Sequence, residues 1–88
     1  MIQNEIDWGP WSQAYRMPAG WDCSTMYGRL KKAYAHPAAI LRTPNKRLYY
    51  ISYPTENTES TWKAIKFRRR PSFRSLKAAK LAVMVTFI

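Results

Sequence analysis

Arg68, Arg69 and Arg70 form an unbroken run that Arg74, Lys77 and Lys80 extend, so six cations fall within thirteen residues and no acid interrupts them. Arginine suits phosphate oxygens because its planar fork donates two hydrogen bonds at once and stays charged at any working pH. Six such groups in series make a phosphate track. A second cluster, Arg42, Lys46 and Arg47, is accompanied by Tyr49, Tyr50 and Tyr53. Aromatic faces beside cations are what a binder of unstacked bases uses, at roughly 1 to 3 kcal/mol per base. The plainer alternatives are a solvated basic surface for the cations and cross-strand packing for the tyrosines, which favour strands in any case. In both clusters the available chemistry is recognition of a polyanion.

Bond-breaking chemistry has little material. One Cys, one His and five acids are present. Cys23 with His36 would be a nucleophile and base if they met in space, but no orienting acid or oxyanion loop accompanies them. Cys23 reads as a small buried residue near a helix start and His36 as a turn residue. A metal site needs three or four ligands drawn from Cys, His and carboxylate, more than this pair supplies. Gly9, Gly20 and Gly28 are too scattered for a phosphate-cradling loop. The expectation is a protein that is not an enzyme and needs no cofactor or metal.

Charge is distributed unevenly. Residues 29–88 carry fourteen bases against Glu56 and Glu59, a net of +12, whereas residues 1–28 carry Arg16 against Glu5, Asp7 and Asp22, a net of −2. The total of +10 exceeds the magnitude of about 2 to 8 that keeps a small domain soluble. Nucleic acid is the expected partner, with DNA favoured over RNA, and an acidic protein is the alternative. A symmetric homodimer would double the basic surface.

The 88 residues and 47% hydrophobic fraction predict one compact domain, since so short a chain has surface enough for a single core. The lone Cys23 excludes an intramolecular disulfide and points to a reducing, cytoplasmic setting. The N-terminus has no signal-peptide pattern. The most apolar stretch, residues 81–88, is far below the roughly 20 residues that span a bilayer, so no membrane partner is expected.

The elements that must position these residues follow from pattern. Residues 1–21 interleave Trp8, Trp11, Tyr15 and Trp21 with Gly9, Pro10, Pro18 and Gly20, which predicts an extended aromatic arm lying on a core formed by residues 22–88. Over residues 22–35, Met26, Tyr27, Leu30, Ala33 and Tyr34 recur at three- and four-residue spacing, predicting a short helix with Arg29, Lys31 and Lys32 facing outward. Residues 38–43 and 47–53 predict a hairpin turned at Pro44-Asn45-Lys46. Residues 61–67 alternate, which predicts a third antiparallel strand. Ser72 or Ser75 caps a final helix over residues 72–88, with Leu76, Ala79, Val83 and Phe87 as its inward stripe, the alternative being a short terminal strand over the β-branched residues 83–88.

The expected fold class is therefore α+β: a three-stranded antiparallel sheet packed by a C-terminal helix, preceded by a short helix and the arm. This order of helix, three strands and helix resembles that of double-stranded-RNA-binding domains. Its last four elements resemble the three-stranded DNA-reading domains of recombinase arms. The resemblance is one of element order, with no shared loop motif, and assigns no role to any single residue. The functional expectation is a non-enzymatic nucleic-acid-binding accessory protein contacting phosphate through Arg68, Arg69, Arg70, Arg74, Lys77 and Lys80, with Arg42, Lys46 and Arg47 as a second region. The alternative is a small phage-type protein that binds and inhibits an acidic host protein.

Overall fold

The computed structural model describes residues 6–88. Its elements are β1 (Asp7–Trp8), β2 (Ser12–Gln13), β3 (Asp22–Tyr27), β4 (Ala39–Arg42), β5 (Tyr49–Ser52), α1 (Thr58–Lys66) and α2 (Leu76–Phe87). The class is α+β, with one five-stranded sheet in which every pairing is antiparallel. β3 is flanked on one edge by β1 and β2, which lie end to end, and on the other by β4, with β5 beyond it.

Residues 1–5 of the expected arm lie outside the described residues, and its stretch 7–13 is an edge strand with a break in it. Trp8 opposes Met26 while Ser12 opposes Cys23, so the edge holds one residue more than the facing stretch of β3. The surplus is absorbed at Gly9-Pro10-Trp11, where Pro10 has no N–H to withhold from a ladder. Gly9 stays tied to β3: its N–H donates to the Thr25 carbonyl at 2.7 Å, and its own carbonyl accepts from the Ser24 hydroxyl at 2.7 Å.

Strand alternation sorts the sheet into two faces. Met26, Ile40 and Ile51 point to one, where α2 covers them with the fully buried Ala79 and Val83. Leu41 and Tyr50 point to the other, where Trp62 and Ile65 of α1 meet Ala14, Met17 and Trp21. Trp21 stands edge-on to Trp62 at 5.6 Å and tilted against Tyr50 at 5.9 Å, the offset geometry that aromatic quadrupoles prefer. The sheet is therefore a middle layer between two helices.

Several expectations are corrected here. Residues 22–27 of the expected first helix form the central strand β3. Their helical spacing is real, but Asp22–Tyr27 has backbone partners on both sides, and the buried Ser24 is satisfied by Gly9. The expected third strand is helix α1. Asn57 caps it by accepting from the Ser60 N–H at 2.9 Å, and Glu59 lies in its first turn with Lys63 and Lys66 in its last, which matches the helix dipole. The three-stranded sheet becomes five-stranded, and with every strand preceding both helices neither resemblance in element order holds. The hairpin and the C-terminal helix agree with expectation, and Ser75 is the cap, accepting from the Ala78 N–H at 3.1 Å.

Candidate nucleic-acid interface

The basic run begins where α1 stops. The Arg68 N–H bonds the Ile65 carbonyl at 3.0 Å and the Arg69 N–H bonds that of Ala64 at 2.8 Å, a reciprocal ending that requires one residue in the left-handed region. Arg68 takes that position, with φ 58°, although glycine would occupy it at lower conformational cost. The chain then turns along the outer edge of β5, where Tyr49 and Phe73 exchange both backbone hydrogen bonds at 2.8 Å.

That single bridge joins the two cation clusters. It places Arg74 beside the start of β5, where the chain leaves the hairpin that carries Lys46 and Arg47. In the hairpin, Asn45 Oδ1 accepts from the Arg47 N–H at 3.0 Å and the Thr43 hydroxyl at 2.6 Å. Lys46 has φ 61°, another left-handed position held by a cation. Arg68 and Arg69 lie upstream of the bridge and Arg74 just downstream, so these three flank the contact with the β5 edge, while Lys77 lies on α2 and Lys46 and Arg47 in the hairpin loop. All six are exposed, and among the described residues none forms an ion pair.

Three of the expected contact residues sit elsewhere. Arg70 turns inward: its side chain is 6% exposed, its Nη2 is 2.7 Å from Glu56 Oε1, and its guanidinium lies 3.7 Å from the Tyr53 ring centre. Arg42 bonds Asp22 at 2.8 Å and lies 4.1 Å over the Trp11 ring. Asp22, Arg42 and Tyr49 are neighbours in one cross-strand row, which explains this pairing. Both arginines are structural in these positions. Lys80 is half-buried over Trp8, 5.6 Å from the ring centre.

The tyrosines are occupied by packing: Tyr49 against Trp11, Tyr50 against Trp21, and Tyr53 against Phe87 and Arg70. Arg29, Lys31 and Lys32 are exposed on a loop instead of a helix. The Lys31 N–H donates to the Phe87 carbonyl at 2.7 Å, which sets this cation at the C-terminal end of α2, where the dipole favours it. Lys66 and Phe67, at the end of α1, were outside the expected set. Both are exposed, and their direct contiguity with Arg68 was the available signal.

Acid placement completes the electrostatics. Glu59 pairs with Arg16 at 3.2 Å and Lys63 at 3.7 Å, Asp22 with Arg42, and Glu56 with Arg70. Hydrogen bonding to Tyr15 and then to Glu59 raises the Arg16 guanidinium above its ordinary value. Among the described acids only Asp7 has no ion pair.

Cys23 and His36 line one cleft of about 270 Å³ together with Thr25, Ser52 and Glu56. The Glu56 carboxylate there is already engaged by Arg70 and Thr61. Among the described residues no group of three or more His, Cys, Asp or Glu side chains could hold a metal ion, and no helix is long and apolar enough to cross a membrane. No protein-family model matches the chain, and neither a curated protein nor a solved structure does.

Proposed function

We propose that this chain is a non-enzymatic nucleic-acid-binding accessory protein that holds phosphates with Arg68, Arg69, Arg74, Lys77, Lys46 and Arg47. One observation carries it: Asp22, Glu56 and Glu59 are engaged by other bases, and among the described residues none of these six exposed cations pairs with an acid. Arg68 and Lys46 add support, because each holds a strained left-handed backbone position with no acid partner among the described residues. Neutralising about six phosphates gives log K against log salt a slope of roughly −4 on single strands and −5 on duplex. Fluorescence anisotropy with labelled oligonucleotides measures that slope. Failure to bind either form at low salt ends the proposal.

A second function is favoured by a surface that shares Lys77 with the first. On the outer side of α2, Leu81 is 59% and Val85 69% exposed. Beside them Leu76, Lys77, Lys80, Leu81 and Met84 line a shallow groove of about 480 Å³. α2 contains no acid, so apolar contact flanked by lysines fits an acidic amphipathic segment of another protein. A second copy of this +10 chain would oppose like charges there. Selection from a helical peptide library discriminates: acidic amphipathic winners whose binding is lost on Leu81→Asp favour this function, and winners indifferent to that change remove it.

A further inference from the structure

Phe67 is 64% exposed and belongs to neither hydrophobic cluster. Its backbone, not its ring, closes α1, through an N–H that bonds the Lys63 carbonyl at 3.0 Å. Lys66 precedes the ring and Arg68 and Arg69 follow it, all three exposed and none in an ion pair among the described residues. The Arg69 guanidinium lies 5.8 Å from the ring centre. A large apolar face held in water among unpaired cations does nothing for the core, and it is the combination that base stacking requires.

The other exposed rings differ. Tyr15 neighbours Arg16, whose charge is matched by Glu59. Tyr27 is paired across the sheet with the acid Asp7. Tyr49, Tyr50 and Tyr53 are held against other rings, and helices cover both faces of the sheet, so no flat aromatic platform is open there.

We infer that Phe67 is a stacking platform for an unpaired base, and that the ligand of the basic edge is single-stranded nucleic acid whose phosphates run along Arg68, Arg69 and Arg74. Duplex bases are stacked on one another and present no free π face to a ring at a helix end, whereas every base of a single strand does. The inference rests on the phosphate-binding function proposed above and adds the strand type and the base contact.

Anisotropy titrations with oligo-deoxythymidine and with a duplex of equal length, on the full chain and its Phe67→Ala, Phe67→Trp and Arg68→Ala/Arg69→Ala variants, test it. The wild type is expected to prefer the single strand. Phe67→Ala should weaken single-strand binding about 5- to 100-fold with its salt slope unchanged, and Phe67→Trp should restore it. Arg68→Ala/Arg69→Ala should instead flatten the slope. If Phe67→Ala binds the single strand as wild type does, or loses both ligands equally, the stacking inference is overturned while steep salt dependence leaves the phosphate contacts standing. If the wild type binds neither ligand, both fall together.

Discussion

Arg70 holds Glu56 from inside the molecule: Nη2 lies 2.7 Å from Oε1 and 2.9 Å from Oε2, in a side chain that is 6% exposed. The same carboxylate accepts from the Thr61 hydroxyl at 2.8 Å and the Tyr53 N–H at 3.2 Å. One acid thus ties the end of β5, the first turns of α1 and the segment after α1 to each other. The third arginine of the run therefore works for the fold, unlike the two before it.

Arg70→Ala should lower stability by about 3 kcal/mol, because it strands a largely buried carboxylate. Arg70→Lys should not recover the loss, since a point charge cannot lie flat on Tyr53. Urea denaturation measures both. In the variant that remains folded, the salt slope of nucleic-acid binding should match the wild type, and a flattened slope would show that Arg70 contacts phosphate after all.

Thr61 is fully buried, and its hydroxyl also lies 2.9 Å from that of Ser52. Thr61→Val keeps shape and removes the bridge between Ser52 and Glu56, leaving polar groups unmatched at a cost of about 1 to 3 kcal/mol. Thermal unfolding should show a lowered midpoint with oligonucleotide affinity unchanged once folding is allowed for.

Arg68→Gly should act in opposite directions on stability and binding. Glycine relieves the left-handed backbone, gaining about 0.5 to 1 kcal/mol. Loss of one cation should reduce the salt slope by about 0.7 to 0.9. Parallel urea and anisotropy titrations read the two effects. A destabilised variant would mean the Arg68 side chain has an internal role.

Arg69→Ala/Arg74→Ala should leave stability within about 0.5 kcal/mol of wild type, because both side chains are exposed and pair with no acid among the described residues. Its salt slope should fall by roughly 1.4 to 1.8. An unchanged slope would detach the basic edge from nucleic-acid binding.

Local signals were legible where one segment contained the whole determinant. The hairpin around Pro44-Asn45-Lys46 and the cap at Ser75 are short-range chemistry, and they appear as the residues imply. Period was less reliable. Residues 22–27 carry part of a three-to-four pattern and no clear alternation, and pairing with β1, β2 and β4 selected the strand. Residues 61–67 alternate, yet Thr61, Trp62 and Ile65 also make one helical face, and the Asn57 cap with its acidic first turn lay in the preceding polar stretch.

Composition along the chain was enough to establish the cationic excess and the scarcity of catalytic side chains, since each is a sum over residues; the α+β class fits, although one expected helix is a strand and one expected strand a helix. Which cations meet solvent is another matter. Arg69 and Arg70 are adjacent and chemically identical, but Glu56, fourteen residues away from Arg70, claims one and leaves its neighbour free. Only tertiary structure makes that division, because burial and ion pairing depend on distances in space that sequence separation does not encode.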